Sequence, residues 1–378
     1  MKRILFIAAL FAVVSCGGGK ENPSTDPTDP VTPTTPTEEK SFARGADISW
    51  LSEMESDGKK FYKADGTQAD LLVILSELGI DAVRLRVWVD PDGGWSGKSD
   101  VVALAKRAVA AGMNVMIDFH YSDFFADPSR QVIPAAWEAD KDDLTKMAAH
   151  VKSHTNEVLS ALKSAGVTPK WVQIGNETRN GMLWPAGQLW TSSGDITDGY
   201  KHFATLYNAG YDAAKAVFSS VVVMPHLNNA YDDNTWWFTK MKDAGVKMDA
   251  IALSHYPQAE SKYSASQYNT KAVESIKSLY STFNVPIYIA EVGVKPAKSD
   301  AASVMSSFIS SIKDLDGCEG VFYWEPEVYG GWKPAVYSDT EALSRLTGTT
   351  VTSAWGAYDQ GAFTSEGKPH AILDAFKK

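Results

Sequence analysis

The sequence has few cysteines and no cluster of basic residues. Only two of its 378 residues are cysteines, Cys16 and Cys318, which excludes a fold held together by several disulfides. Lys and Arg number 36 against 46 Asp and Glu, for a net charge of −10, and the basic residues form no run. We therefore expect no nucleic-acid partner and a neutral rather than a polyanionic substrate.

Long apolar segments are also lacking, except at the N-terminus. Lys2 and Arg3 precede an apolar stretch over residues 4–14, too short to span a bilayer, which predicts a signal peptide over residues 1–16. The stretch runs into Val13-Val14-Ser15-Cys16-Gly17. This run resembles a bacterial lipobox, and the resemblance implies that Cys16 is lipidated; a plain secretory signal is the alternative. We expect an exported lipoprotein anchored to a membrane, at the outer membrane or the cell surface.

Residues 17–40 lack the apolar content of a core. Five Pro and six Thr occur among residues 21–40, a composition typical of an extended tether. We therefore predict a flexible linker over residues 17–40 and one folded domain over residues 41–378.

Within that domain, short apolar runs alternate with longer segments of helical spacing. The predicted strands lie near residues 45–48, 82–87, 114–119, 171–175, 221–225, 250–254, 287–290 and 320–323. The predicted helices lie at residues 70–78, 101–111, 144–165, 200–217, 235–244, 272–283, 303–315 and 369–377. Eight such βα units predict a single α/β domain, a (β/α)8 TIM barrel. A doubly wound open sheet is the alternative, but no Gly-rich phosphate loop follows the first strand.

Polar and aromatic residues follow nearly every predicted strand. In a barrel all carboxyl ends of the strands meet at one rim, where active sites lie. The residues at these positions are Asp47, Trp50, Arg86, Trp88, Asp118, His120, Asn176, Glu177, His226, Asn228, His255, Tyr256, Glu291, Trp324 and Glu325. A purely structural barrel has no reason to collect them at one end, so their accumulation predicts a functional site.

Among these residues, Glu177 and Glu291 each end an apolar strand. Strands four and seven face each other across a barrel mouth, and a carboxylate pair about 5 Å apart is the arrangement for retaining glycoside hydrolysis. One carboxylate acts as nucleophile and the other as acid and then base. We expect Arg86 to keep the nucleophile ionised and Asn176 to hydrogen-bond the sugar 2-OH. The alternative is that each glutamate is a surface residue or part of a structural ion pair.

Histidines and tryptophans at the rim suggest sugar contacts rather than a metal. His120, His226 and His255 lack the short spacings of a zinc site, so we expect them to hydrogen-bond sugar hydroxyls or the carboxylates. We expect Asp118 to orient Arg86 or His120, with a capping role as the alternative. Candidate sugar platforms, each of which has a structural role as its alternative, are Trp95, Trp137, Trp184, Trp324 and Trp332; Trp236 and Trp237 are expected to pack.

Several longer stretches carry a resemblance to a known family. They are Gly45-Ala46-Asp47-Ile48-Ser49, Val83-Arg84-Leu85-Arg86-Val87-Trp88, Asp118-Phe119-His120-Tyr121-Ser122-Asp123, Gln173-Ile174-Gly175-Asn176-Glu177, Asn180-Gly181-Met182-Leu183-Trp184-Pro185 and Phe322-Tyr323-Trp324-Glu325-Pro326. From residue 42 to the C-terminus the chain resembles the arabinogalactan endo-β-1,4-galactanases, glycoside hydrolase family 53, within the clan of retaining (β/α)8 glycosidases.

This resemblance implies a fold, a substrate and two catalytic roles. It implies internal cleavage of the β-1,4-galactan side chains of pectin, with Glu177 as acid/base and Glu291 as nucleophile. Together with the rim positions it suggests a substrate-binding set of Asp47, Arg86, Trp95, Asp118, His120, Asn176, His255, Tyr256, Trp324 and Trp332. We expect a monomer.

The chain departs from the family at two loops. Ser254-His255-Tyr256-Pro257 has one Tyr where the family more often has two, and the loop over residues 292–299 is short. Some bacterial members bind calcium in a longer acidic loop at this place; here residues 293–300 hold a single acidic residue. We therefore expect no calcium site and no required cofactor. The alternatives in function are a non-catalytic glycan-binding lipoprotein, or an endo-glycanase of the same clan that acts on mannan or glucan.

Overall fold

Parallel strands form the centre of the computed structural model, which describes residues 42–258 and 261–377. The predictions for the signal peptide, the lipidated Cys16 and the linker lie outside the described residues. The barrel strands are β1 (Ala43–Asp47), β2 (Ala82–Val87), β3 (Asn114–Phe119), β4 (Trp171–Ile174), β5a (Val222–Met224), β5b (His226–Leu227), β6 (Ile251–His255), β7 (Ile287–Val292) and β8 (Cys318–Trp324).

The sheet closes on itself at the fifth strand. Its hydrogen-bonded order runs β5a-β4-β3-β2-β1-β8-β7-β6-β5b. The two ends of this series, β5a and β5b, are separated in the chain only by Pro225, a residue that has no N–H to donate to a ladder. Two halves of one strand therefore join β4 to β6. The predicted (β/α)8 barrel is confirmed, and the alternative of an open doubly wound sheet is wrong.

Helices surround this barrel. They are α1 (Leu51–Ser56), α2 (Leu71–Glu77), α3 (Lys98–Ala110), α4 (Leu144–Ser164), α5 (Gly199–Val217), α6 (Thr235–Asp243), α7 (Ala265–Phe283), α8 (Ala301–Ile312) and α9 (Thr340–Thr347). None of the helices in the described ranges combines the length and the apolar content required to cross a membrane.

Local capping explains where predicted and observed helices differ. Helix α7 begins seven residues before its predicted start at residue 272, because Ser264 and Gln267 form a capping box there. The segment predicted over residues 369–377 is helical only as a short 3-10 turn, Ala371–Phe376. Helices α1 and α9 were not predicted, because six and eight residues are too few for a clear periodic pattern.

Short antiparallel strand pairs and 3-10 turns lie in the loops of the barrel. Antiparallel pairs join Phe61–Tyr62 with Gln68–Ala69, Gly181–Met182 with Gly187–Gln188, and Trp190–Thr191 with Gly194–Asp195. Further 3-10 turns are Asp92–Gly94, Ala135–Asp140 and Ala335–Ser338.

Aromatic rings fill the lower part of the barrel. The ring of Trp171, the first residue of β4, lies 5.7 Å from both the Tyr288 and the Phe322 rings, measured between centroids. Gly45 makes room for this packing, because a Cβ there would lie 2.0 Å from the Phe322 ring. These rings close the amino-terminal end of the barrel, and the cleft described below opens at the other end, where the carboxyl ends of the strands lie.

Candidate active site

A cleft of about 380 Å³ opens at the carboxyl-terminal rim. Both glutamates selected from the sequence, Glu177 and Glu291, line it. Four other predicted residues line it as well: His120, Asn176, Tyr256 and Trp324. The closed barrel is what brings them together, since they follow five different strands.

The chain turns sharply where it leaves β4. Gly175 has a φ of 77° and Glu177 a φ of 47°, and the second value is rare for a residue with a side chain. A Cβ at Gly175 would lie 2.6 Å from Thr178 Cγ2, so this position requires glycine. A non-glycine residue held in this region costs of order 1–3 kcal/mol and is found mostly at functional sites. The turn leaves the Glu177 side chain partly exposed to the cleft.

Two side chains bind the Glu291 carboxylate, one at each of its two oxygens. Arg84 Nη2 lies 2.9 Å from Oε1, and the Tyr256 hydroxyl donates a 2.7 Å hydrogen bond to Oε2. Burial raises the pKa of Glu291 above its ordinary value, and the Arg84 guanidinium and the Tyr256 hydroxyl offset part of that rise. Both partners stabilise the ionised form of Glu291, which is the form that can attack carbon.

Arg84 itself is buried among acidic and amide groups. Its guanidinium pairs with Asp47 at 2.8 Å and with Asp118 at 2.8 Å, and it donates to Gln173 Oε1 at 3.2 Å and to Asn176 Oδ1 at 2.9 Å. Burial lowers the pKa of Arg84, but Asp118, Glu291 and Asp47 outweigh that effect and raise it above its ordinary value. The guanidinium is thus permanently charged and fixed in orientation beneath Glu291.

The prediction that Arg86 keeps the nucleophile ionised is wrong, because Arg84 is the arginine at Glu291. Arg86 forms an ion pair with Glu325 at the end of β8, and its guanidinium carbon lies 4.0 Å from the Trp50 ring centroid and 4.8 Å from the Trp88 ring centroid. Of the two partners predicted for Asp118, the structure shows His120, whose Nε2 lies 2.9 Å from Asp118 Oδ2, and not Arg86. Arg84 and Arg86 alternate along β2 and share a face, but only Arg84 reaches Glu291.

The surroundings of Glu177 contain no ion-pair partner within the described parts of the chain. Its backbone N–H donates to His226 Nδ1 at 3.3 Å, and its carboxyl group hydrogen-bonds Ser254. Burial raises the pKa of Glu177 to about 8, Glu291 adds to the rise, and Ser254 opposes it. Glu177 therefore keeps a proton at pH values where Glu291 has lost its own.

His226 determines which way the Ser254 hydroxyl points. Burial, followed by the charge of Arg84, lowers the pKa of His226 well below its ordinary value, so the ring is neutral. Three groups surround its Nδ1: the Glu177 N–H at 3.3 Å, Gln173 Nε2 at 3.0 Å and Asn176 Oδ1 at 2.9 Å. Because the backbone N–H of Glu177 can only donate, Nδ1 is the unprotonated nitrogen that accepts from it. The ring proton is then on Nε2, which lies 2.8 Å from Ser254 Oγ. The Ser254 hydroxyl accepts a hydrogen bond from the Nε2–H group and donates one to the Glu177 carboxyl group.

Two predicted residues at the cleft already have protein partners for their polar atoms. His120 Nε2 lies 2.9 Å from Asp118 Oδ2, and its Nδ1 accepts from the Ala126 N–H at 3.0 Å. Asn176 Nδ2 donates to the Ala126 carbonyl at 2.8 Å, while its Oδ1 accepts from Arg84. His120 thus offers mainly its ring surface to a ligand, and the contact of Asn176 with a sugar 2-OH stays a prediction.

Six residues predicted to bind substrate do not line the cleft: Arg86 and Asp118, described above, and four others. His255 is fully buried and contacts Asn269 at 2.8 Å. Trp332 is buried, and its indole N–H donates to Asp57. Trp95 lines a separate cavity of about 240 Å³ beside Trp50 and Trp88. Asp47 is buried beneath Arg84. Position after a strand is not sufficient to place a side chain at the mouth, because side chains alternate in direction and loops fold back.

Sequence reasoning missed other residues that line the cleft. These are Phe125, Arg130, Tyr337, Trp355 and Gln360. Two of them, Phe125 and Arg130, follow the β3 motif closely, so their nearness in sequence was a usable signal. The long segment after β8 contains Tyr337, Trp355 and Gln360. It is mostly irregular, so its sequence has no periodic pattern from which their positions could be predicted.

Among the described residues, no three His, Cys, Asp or Glu side chains are placed to hold a metal ion. The prediction that the chain requires no cofactor stays a prediction.

A comparison with known families decides the identity of this site. The sequence profile of glycosyl hydrolase family 53 matches residues 43–376, almost the whole described domain. The chain belongs to glycosyl hydrolase family 53. The predicted family and the prediction of a glycoside hydrolase are both confirmed.

Two similar proteins carry the name of a galactanase. The arabinogalactan endo-beta-1,4-galactanase of Thermothelomyces thermophilus is 32% identical over 309 residues, covering 75% of this chain and 89% of that protein. The protein of the same name from Cellvibrio japonicus is 32% identical over 314 residues, 75% of this chain and 80% of that one.

Solved structures of the family share this fold over nearly the whole domain. A fungal beta-1,4-galactanase superposes with a TM-score of 0.71 at 29% identity, covering 88% of this chain and 98% of the other. The family 53 catalytic domain of Ignisphaera aggregans gives a TM-score of 0.74 at 26% identity, over 90% and 97% of the two chains.

Proposed function

We propose that this protein hydrolyses internal β-1,4-galactosidic bonds of galactan with retention of configuration. One observation carries the proposal: two glutamates share a cleft but have different partners. Glu291 is held by the Arg84 guanidinium and the Tyr256 hydroxyl, whereas Glu177 has a hydrogen bond from the Ser254 hydroxyl and no ion pair among the described residues. The family 53 relatives named as galactanases support β-1,4-galactan as the substrate.

The first chemical step uses both carboxyl groups. Glu291 attacks the anomeric carbon and forms a glycosyl ester, while Glu177 donates its proton to the departing glycosidic oxygen. Arg84 and Tyr256 stabilise the Glu291 carboxylate before the attack. As the ester forms, negative charge leaves Glu291 and the bond to the leaving sugar breaks, so the proton of Glu177 is needed at that moment.

The second step reverses the role of Glu177. The carboxylate, now ionised, removes a proton from water, and the resulting hydroxide attacks the anomeric carbon and releases Glu291. Ser254 donates to this ionised form, so its hydrogen bond stabilises Glu177 between the two steps. Trp324 and Trp355 line the same cleft and provide apolar surfaces for the faces of the sugar rings.

Hydrolysis of a panel of polysaccharides tests the proposal. Purified protein is incubated with unbranched β-1,4-galactan, mannan, xylan and β-glucan, and new reducing ends are measured, with Glu291→Gln as control. We expect release from galactan alone and none from the control. Preferential cleavage of mannan, xylan or β-glucan would make this a different endo-glycanase. Galactan binding without cleavage by the unmodified protein would favour a glycan-binding lipoprotein.

We propose in addition that the enzyme is exported and anchored to a membrane through lipid at Cys16. The support is the charged start, the short apolar stretch and the lipobox-like run of the sequence. Labelling of expressing cells with a radioactive fatty acid tests this. The full-length chain should carry label and sediment with membranes, and Cys16→Ser should lose both properties; an unlabelled chain recovered from the medium would show a plain secretory signal instead.

A further inference from the structure

Two neighbouring tryptophans, the exposed Trp236 and the half-buried Trp190, lie at the rim outside the cleft. Trp236 is 43% exposed, the largest exposed apolar side chain in the described ranges, although it was predicted to pack. Its neighbour Trp237 is fully buried, as predicted. The rings of Trp236 and Trp190 lie 6.3 Å apart between centroids and are inclined by 47°. Because the two rings do not stack, they do not cover each other's faces.

The pair lies on one side of the catalytic glutamates. Trp190 belongs to the short hairpin in the loop after β4, and Trp236 is the second residue of α6, which follows β5b. In the barrel order, β5 and β6 lie on one side of the line from β4 to β7, and β8, β1, β2 and β3 on the other. Trp324 and Phe125, which line the cleft, belong to that second side.

Two consecutive residues connect this pair to the acid/base turn. Asn180 holds the backbone of Trp190 at both ends: its Oδ1 accepts from the Trp190 N–H at 2.9 Å, and its Nδ2 donates to the Trp190 carbonyl at 3.1 Å. The Arg179 carbonyl accepts from the Trp237 indole N–H at 2.9 Å. The backbone of Trp190 and the start of α6, which carries Trp236 and Trp237, are therefore fixed relative to Glu177, which precedes Arg179 by two residues.

The start of α6 is fixed to the same arginine. Arg179 Nη2 donates to Asn234 Oδ1 at 2.7 Å, and Arg179 Nε donates to Asn228 Oδ1 at 2.7 Å. Asn234 directly precedes α6. An exposed indole on so rigid a frame loses little conformational freedom when a ligand covers it, which favours binding.

We propose that Trp190 and Trp236 form a subsite for the part of a β-galactan chain that leaves with the cleaved bond. The proposal rests on the proposed function and adds a specific subsite to it. Glu177 protonates the leaving oxygen, so the leaving sugars extend from Glu177 toward β4 and β5. The C–H face of each galactose is apolar and packs on an indole face, which removes both from water. Two inclined rings suit a chain whose successive sugars change direction.

Activity on two substrates distinguishes a defect in this subsite from a defect in the cleft. Trp190→Ala and Trp236→Ala are compared with the unmodified enzyme on polymeric galactan and on an aryl β-galactobioside, which has no sugar on the leaving side. We expect kcat/KM on galactan to fall about tenfold, the loss of one good aromatic contact, and the value on the aryl substrate to stay unchanged. Val109→Ala, which shortens another exposed apolar side chain (41% exposed), should change neither.

A conservative variant tests whether a loss of activity in the alanine variants is caused by misfolding. Trp236→Tyr keeps a flat ring and should keep most of the activity on galactan. An equal loss on both substrates in the alanine variants, or unchanged activity on galactan, overturns the subsite. If the unmodified enzyme cleaves no galactan at all, the proposed function fails instead. Galactan retardation of Glu291→Gln in a native gel gives a second measurement: adding Trp236→Ala should weaken it, and unchanged retardation contradicts the proposal.

Discussion

Arg84 holds Glu291 through a 2.9 Å contact between Nη2 and Oε1, while Glu177 has no ion-pair partner in the described parts of the chain. Two carboxyl groups that share a cleft largely shielded from water repel each other when both are ionised, so one must keep its proton. The guanidinium determines that Glu291 ionises first. The raised pKa of Glu177, about 8, is then a consequence of burial next to a charged neighbour.

Replacement of the nucleophile should abolish turnover and allow chemical rescue. Glu291→Ala removes the group that forms the ester, so we expect kcat on galactan to fall by more than about 10⁴-fold. Added azide should restore release from an aryl β-galactobioside, and the product should be the α-glycosyl azide, because azide attacks the substrate directly from the vacated side. Product configuration by NMR checks this. A β-azide would assign the nucleophile role to another residue.

Replacement of the acid/base should depend on the leaving group. In Glu177→Ala we expect kcat on galactan to fall about 10²–10⁴-fold, because the leaving sugar oxygen needs a proton. An aryl β-galactobioside with an acidic phenol should still form the ester quickly. Azide should then accelerate its turnover and give the β-azide. If the aryl substrate lost as much activity as galactan, Glu177 would not be the proton donor.

The Ser254 hydroxyl should set the basic limit of activity. It donates to the ionised form of Glu177 and so lowers the pKa of that residue. In Ser254→Ala the ionised form loses this donor, so the basic limb of the kcat/KM profile should move to higher pH. Ser254→Thr, which keeps a hydroxyl, should leave the limb in place. A limb that moves to lower pH, or does not move in the alanine variant, contradicts the orientation derived from His226.

The raised pKa of Glu177 should also make the free energy of unfolding depend on pH. The pKa of Glu177 rises from 4.5 to about 8 on folding, so between these values the unfolded chain releases a proton that the folded chain retains. The free energy of unfolding therefore falls as pH rises through this window. Glu177→Gln removes this contribution and should raise the melting temperature by several degrees at pH 8, with little change at pH 4.

Thermal unfolding across pH 4–9 measures this difference. The same substitution at Glu341, which lies exposed in α9, serves as the control and should leave the difference from the unmodified enzyme independent of pH. A melting-temperature gain for Glu177→Gln that is equal at pH 4 and pH 8 would mean that improved packing, not the raised pKa, is the cause.

The barrel was readable from the sequence because every strand is a short apolar run and most helices are periodic. Strand β2 shows what the sequence pattern does not determine. The alternation Val83-Arg84-Leu85-Arg86-Val87 places both arginines on one face, but it does not show which arginine lies nearer to the nucleophile. We expected Arg86, the one closer to the strand end. The arrangement depends instead on Glu325, which pairs with Arg86, and on Asp47 and Asp118, which pair with Arg84.

Aromatic residues were the hardest to place. Trp236 and Trp237 are adjacent in sequence, yet one is exposed and the other fully buried, because neighbouring positions on a helix point in directions about 100° apart. Trp355 lines the cleft from the segment after β8, and only the folded path of that segment reveals it. Type and spacing identify the catalytic pair, whereas the sugar contacts depend on loop conformation.

The anomeric configuration of the first product tests the central claim most directly. Unbranched β-1,4-galactan is digested in an NMR tube at a high enzyme concentration, and the new reducing-end signals are followed before mutarotation mixes them. A double displacement at Glu291 predicts that the β-anomer appears first, on oligosaccharides of mixed short length. If the α-anomer appears first, water attacks the anomeric carbon directly, and neither the covalent intermediate nor the assigned role of Glu291 is correct.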